Sequence, residues 1–374
     1  MVTPDQTSGK TTLKPLMRTA LEGIHLEDTG IVRVSGADAV KFLQGQLSND
    51  VSKLGALQSQ LAGLHNPQGR TIALLRLVQW NADDILAVVP RELAAVVATR
   101  LAKYVLRAKV KVVDESAAWR TVGLIGAGPT DGGTDLPGPV GAQVHAGGTV
   151  FVRVGDQPAR WLMLSPSSAD VVSPLLDYTP TDRATWQRLE VASGQPQVLA
   201  ATSEEFVAQM LNLDAMNAIA FDKGCYTGQE VIARAHYRGR VKRRMQRFVS
   251  RQPCQLSPGD SGELTDGRAF KVVLSAQLAD GRCDFLAVAA MPGAGTAATA
   301  GADAAATAAR AAGASTAGAT AASAGAAPAG AFTAGAAAAS AGAAPAGGEP
   351  SAASAPPVAV VDAEQVEMPY SLPE

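Results

Sequence analysis

Apolar and polar residues alternate over Gly30-Ile31-Val32-Arg33-Val34, which predicts a strand. Ser35-Gly36-Ala37-Asp38 reads as a turn, and Val40 and Leu43 at i, i+3, with Phe42 adjoining, predict a short helix over 39–44. Asn66-Pro67-Gln68-Gly69 is a hairpin turn between apolar runs, and Thr71 to Trp80 and Asp84 to Val89 read as paired strands. Leu93, Val96, Val97, Leu101, Tyr104 and Val105 recur at helical spacing, predicting a helix from Arg91 to Ala108. Strands are expected at Thr121 to Ile125, Thr149 to Val154 and Trp161 to Leu164, then a helix from Asp182, its N-cap, to Ser193. From Phe248 the pattern changes to short β runs, Lys271 to Leu274 and Phe285 to Ala289, between turns such as Pro258-Gly259-Asp260, Asp266-Gly267 and Asp280-Gly281. That texture belongs to a small barrel or sandwich. Strands, hairpins and a few helices in this order give an α+β class with antiparallel sheet.

Composition changes this picture at one place. Of the residues from 301 to 350, 27 are Ala and only Asp303, Arg310 and Glu349 carry charge. The octamer SAGAAPAG stands at both 323–330 and 340–347, and Gly and Pro interrupt any Ala helix every few residues. The stretch 292–357 is therefore expected to be a disordered insertion. Apolar runs resume at Val358 to Val361 and Gln365 to Tyr370, so it is expected to interrupt a domain. The rest of the 374-residue chain is ample for a buried core.

A formal net charge of −2 excludes a globally basic nucleic-acid binder. Cys225, Cys254 and Cys283 are too few and too scattered for a disulfide framework, and with no CxxC and four His no metal site is expected. The polar start of the chain has no signal-peptide core, and no run of about 18 strongly apolar residues occurs. A soluble protein of the reducing cytoplasm, with no membrane partner, is the expectation. Ser8-Gly9-Lys10-Thr11 imitates the end of a phosphate-binding loop, but Pro4 stands at the first glycine and no strand precedes it.

The chemistry concentrates in Lys223-Gly224-Cys225-Tyr226-Thr227-Gly228-Gln229-Glu230. Two glycines bracket the Cys-Tyr-Thr segment, and Gln229 to Tyr237 reads as a helix with Val231, Ile232 and Ala235 on its apolar face. Cys225 thus precedes a helix N-terminus and lies two residues from Lys223, two features that favour a thiolate. A small buried Cys in a glycine turn is the alternative. Downstream runs Arg234, Arg238, Arg240, Lys242, Arg243, Arg244, Arg247 and Arg251, with no acidic residue between Val231 and Gly259. This is either a solvated face or a cationic rim for an acidic ligand tail or phosphates.

Lys223 to Glu230 resembles the K-G-C-[YF]-T-G-Q-E signature of the YgfZ family of folate-binding proteins, bacterial relatives of a mitochondrial iron–sulfur assembly factor. Gln209 to Leu213 and Ala235 to Arg243 are similar to the stretches flanking that signature, and Gly36-Ala37-Asp38, Phe42 to Gln46 and Pro67 to Arg70 to its N-terminal blocks. The resemblance covers roughly residues 20 to 290 and extends to the last 17. Ala208, and Ala192-Ser193 before Gly194, depart from the family pattern around Glu190. The family is related to the T-protein of glycine cleavage, a tetrahydrofolate aminomethyltransferase. The resemblance implies α+β domains around a central folate hole, closed by a small C-terminal β-barrel. It divides the chain into a first α+β domain at 16–115, a second at 116–185, a signature segment at 186–247 returning to the first, and a barrel from 248–291 with 358–374.

What the resemblance implies for function is a folate-binding accessory protein, taking tetrahydrofolate or a one-carbon derivative. Its partners would be iron–sulfur client or assembly proteins, and its effect on tRNA modification indirect. Cys225 is then the catalytic candidate. Lys223, Tyr226, Gln229, Glu230, Arg238 and Glu190 are the folate-binding candidates, with Lys223 and Arg238 nearest the acidic tail and Tyr226 against the ring. Two alternatives belong to other classes. An aminomethyltransferase needs an acid after its early hairpin, and Gly69-Arg70-Thr71-Ile72-Ala73-Leu74-Leu75 has none. An RNA binder would use the Arg run, but the chain is net negative and has few aromatics for base stacking, so no stable nucleic-acid complex is expected.

Overall fold

The computed structural model describes residues 21–126, 136–168, 178–239, 241–291 and 359–373, all within one compact unit. The expected insertion at 292–357, the chain before Leu21 and Arg240 of the basic run lie outside the described residues.

In chain order the elements are β1 (Leu21–His25), β2 (Thr29–Ser35), α1 (Ala39–Gln44), β3 (Gln60–His65), β4 (Thr71–Asn81), β5 (Asp84–Pro90), α2 (Arg91–Ala102) and β6 (Lys111–Asp114). Then come β7 (Trp119–Ile125), β8 (Gln143–Ala146), β9 (Thr149–Asp156), β10 (Ala159–Pro166), β11 (Tyr178–Pro180), α3 (Arg183–Ala192) and α4 (Gln229–Tyr237). Last are β12 (Arg243–Ser250), β13 (Ser261–Leu264), β14 (Ala269–Gln277), β15 (Cys283–Ala290), β16 (Ala359–Val361) and β17 (Ala363–Val366).

These strands make three sheets among the described residues. The first, β3-β4-β5-β2-β6, is antiparallel throughout. The second runs β11-β1-β7-β10-β9-β8 and the third β16-β13-β14-β15-β12-β17, each with one parallel edge pair, β1 with β11 and β13 with β16. In the third, β16 and β17 follow one another in the chain yet bond to opposite edges, so the sheet nearly closes on itself. The α+β class with mainly antiparallel sheets and a small C-terminal barrel is thus the architecture observed.

The apolar pattern explains the packing. Leu93, Ala94, Val97 and Leu101 of α2 are buried in the first core, where a side chain at Gly30 would come within 2.9 Å of Ala94 Cβ and Arg91 Cα. The helix stops at Ala102 rather than at Ala108. Tyr104 and Leu106 are exposed, and the chain must turn to bring Lys109 to Asp38, whose carboxylate accepts from the Lys109 N–H at 2.7 Å. The signature joins the same core: Tyr226 and Ile232 cluster with Leu43, Leu64 and Leu75, and Met245 and Leu286 of the third sheet reach it from their side.

Candidate functional site

Two sites emerge, and the sequence-derived residues divide between them. The first is a cavity lined from the β1–β2 turn, β2, β3, β4, β5, β9, β10, α3 and the 193–197 turn. Asp182 caps α3 by accepting from the Thr185 N–H at 2.6 Å. The helical spacing then sets Arg183, Trp186 and Glu190 on one face, all lining the cavity. Glu190 is held from both sides. Its Oε1 accepts from Trp186 Nε1 at 2.9 Å and Gln197 Nε2 at 2.6 Å, and its Oε2 accepts from Arg183 Nη1 at 3.0 Å. Burial pushes its carboxyl pKa up, opposed by the Arg183 charge. Arg183 also donates to Asp28 Oδ2, at 2.6 and 3.0 Å.

Two further arginines face this cavity from otherwise apolar strands, Arg76 on β4 and Arg160 on β10. Arg76 donates to Gln195 Oε1 at 2.9 Å and to Ser59 Oγ at 3.5 Å. Burial draws both guanidinium pKa values down to about 10. Leu61, Leu74, Val88, Leu162 and the Trp186 ring supply apolar wall.

The second site is the signature loop. Gly228, the N-cap of α4, has φ +83° and lies against the β3–β4 hairpin, where a Cβ would stand 2.5 Å from the Asn66 carbonyl oxygen and 3.0 Å from Gly69 Cα. Only glycine permits that approach and that backbone together. Lys223 turns toward the segment after α1 and donates to the carbonyls of Gln44, Leu47 and Asn49 at 2.7, 2.7 and 2.6 Å. Its three ammonium hydrogens are used there, leaving none for the Cys225 sulfur or for the tail of a ligand. Burial pulls its pKa down to about 8, opposed by the Asp50 charge. The ammonium lies 5.3 Å over the ring of Tyr226, which is buried, with its hydroxyl pKa pushed up to about 12 by burial.

Cys225 is exposed, which removes the buried-turn alternative. Gln229 is half-buried, its N–H on the Tyr226 carbonyl at 3.3 Å, and Glu230 and Arg238 are exposed. Glu190 belongs to the cavity, and none of the signature residues lines it. The basic run does not act as one rim either. Arg244 is buried in a paired contact with Asp214 at 3.0 and 2.9 Å, and Arg247, on the opposite face of β12, binds Asp284 at 2.9 and 2.6 Å. Arg234, Arg238, Lys242 and Arg251 remain exposed.

Sequence reasoning passed over His65, Arg76, Arg160, Arg183 and Trp186. A readable signal existed for two: Arg183, Trp186 and Glu190 share a helical stripe. Arg76 interrupts an apolar strand, which is a weaker sign. The two sites are connected through β3. Leu61 lines the cavity, and the buried His65 ring lies over Gly63, with its centroid 6.4 Å from that of Tyr226. Leu61 and Gly63 share a face of the strand, and four residues of strand span roughly 13 Å. Among the described residues no helix is long and apolar enough to cross a membrane, and no group of three or more His, Cys, Asp or Glu could hold a metal ion.

No family model matches the chain. It is 31% identical over 275 residues, 71% of its length and 84% of the relative's, to the tRNA-modifying protein YgfZ of Enterobacter sp. (strain 638). It is 33% identical over 251 residues, 64% of its length and 75% of the relative's, to the protein of that name from Vibrio atlanticus (strain LGP32). Among solved structures, the glycine cleavage system aminomethyltransferase T from Bartonella henselae aligns with a TM-score of 0.59 at 15% identity, over 73% of this chain and 79% of that one. At that identity the likeness is one of fold.

Proposed function

Because the chain belongs to the YgfZ family, we propose that it is a cytoplasmic folate-binding accessory protein for the assembly or maintenance of iron–sulfur enzymes, and acts on tRNA modification through them. The cavity carries this reading. A folate presents a flat ring with N–H and C=O groups and a tail of carboxylates, and it calls for apolar walls with a few convergent polar groups. Leu61, Leu74, Leu162 and Trp186 supply the walls, and Glu190, Arg76 and Arg160 the polar groups. Glu190 accepts three hydrogen bonds, so one of its roughly four acceptor positions is left for a ring N–H. When bound, folate would supply a carried one-carbon unit. Tyr226 and Cys225, the residue assigned to chemistry, lie in the signature loop outside this cavity. Aminomethyl transfer is disfavoured: β4 presents Leu74 and Arg76 to the cavity, and both lining carboxylates, Asp28 and Glu190, are bonded to Arg183. Native mass spectrometry and isothermal titration with tetrahydrofolate test the reading. A one-to-one complex weakened by Glu190→Ala supports it, and no binding by the intact protein overturns it.

A further inference from the structure

We propose that Arg160 is the ligand-binding cation of the cavity, donating from its guanidinium to an oxygen of the bound ligand. Arg160 is 4% exposed on β10 and lines the cavity. Among the described residues its side chain makes no hydrogen bond or ion pair; the Trp186 ring lies 5.4 Å from Cζ, and Glu190 is the opposite charge that acts on it without a direct bond. The contrast with the other buried arginines is sharp. Arg244, also 4% exposed, has Asp214 and the Gln209 carbonyl, and Arg76 has Gln195. The charges facing the cavity are three guanidiniums, Arg76, Arg160 and Arg183, and two carboxylates, Asp28 and Glu190. Both carboxylates hydrogen-bond Arg183. Its five N–H donors thus have no protein acceptor while the side chain lines the cavity, an arrangement that leaves them for a ligand.

The placement is built into the strands. Arg160 lies across Gly155 of β9, where a Cβ would come within 2.7 Å of Nη2 and 2.8 Å of Nε. A planar fork in an apolar cavity suits a ligand carboxylate or a ring carbonyl. The choice of probes rests on the folate reading; the premises about Arg160 do not.

The test compares Arg160→Met with the parent protein in two readouts. Without ligand, its thermal midpoint should rise, because an unpartnered buried charge is removed; a structural arginine would give a fall. Tetrahydrofolate should bind roughly tenfold to a hundredfold more weakly, the loss of one charge-assisted hydrogen bond. Gly155→Ala, which displaces the guanidinium, should weaken binding in the same direction. 6-Methyltetrahydropterin and p-aminobenzoylglutamate locate the oxygen. Loss confined to the first assigns a ring carbonyl, and loss confined to the second a tail carboxylate. If the parent binds these probes and Arg160→Met binds them equally well, the inference is overturned whatever the midpoint. If the parent binds none, the folate reading falls, and the midpoint decides for Arg160: a rise upholds its role as a cation awaiting a ligand, a fall ends it.

Discussion

At position 65 a histidine ring is buried with neither nitrogen hydrogen-bonded, tilted against Tyr226. Burial pushes its pKa down to about 3, so the folded protein keeps it neutral where the unfolded chain, at about 6.5, takes up a proton. The unfolded state therefore binds more protons between those values. Stability is fully present above pH 6.5 and declines as the pH falls through the window, by about 2 kcal/mol between pH 7 and pH 5. Urea titrations at the two values should show that loss in the parent and not in His65→Phe; equal slopes would remove His65 as the cause. Cys225 offers a second residue-scale prediction. Its thiol is exposed, so Cys225→Ala should leave the thermal midpoint in place and abolish rescue of a strain lacking the protein. Cys283→Ala, in the barrel core, should lower the midpoint modestly and keep rescue; loss of rescue in both variants would make the role of Cys225 structural. Cys225 was legible because a signature singles it out, and Glu190 through the wider family resemblance. Arg160 and His65 were not, since a lone Arg beside a strand or a His closing one looks ordinary until distant chain buries it.

Among the elements, α4 begins where two glycines meet, Gly228 at φ +83° and Gly69 at φ +72°. Their contact fastens the signature to the β3–β4 hairpin, and the Asn66 side chain supports the turn by accepting from the Gln68 and Arg70 N–H groups at 3.0 Å each. Gly228→Ala combines a left-handed backbone with a clash against the Asn66 carbonyl and should cost about 2–4 kcal/mol in chemical denaturation. Gly224, three residues after Phe221, has open space around it and an ordinary φ, so Gly224→Ala should stay within about 0.5 kcal/mol of the parent. Equal effects would mean that the hairpin contact does not hold the loop. The hairpin turn, α1, α3 and α4 were readable from turn residues and helical spacing, with α1 and α4 at their observed bounds. The end of α2 was not, because Tyr104 and Val105 continue a helical pattern that the contact between Lys109 and Asp38 overrides.

For the whole molecule, the third sheet takes its two edge strands, β16 and β17, from chain beyond the Ala-rich stretch. Deleting 293–348 leaves roughly a dozen residues between Ala290 and Ala359, and since closure entropy varies with the logarithm of loop length the stability should hold or rise slightly, by about 1.5 kcal/mol at most. A collapse in calorimetry would show that the deleted stretch is packed. Resumed apolar runs at the C-terminus hinted at this arrangement, but their pairing with opposite edges, β13 and β12, arises only in three dimensions. The last residues do more than complete a ladder. The Tyr370 hydroxyl donates to the Gly194 carbonyl at 2.8 Å and accepts from Asn212 Nδ2 at 3.2 Å, tying the tail to the turn after α3 and to the chain before the signature. A single cut between Ala290 and Ala359 would break none of these bonds, yet it would turn one folded molecule into a two-piece assembly. Such a protein would be sensitive to dilution: whole while the short fragment stays bound, and open along both barrel edges, with Gly194 and Asn212 stripped of their shared phenol, once it diffuses away.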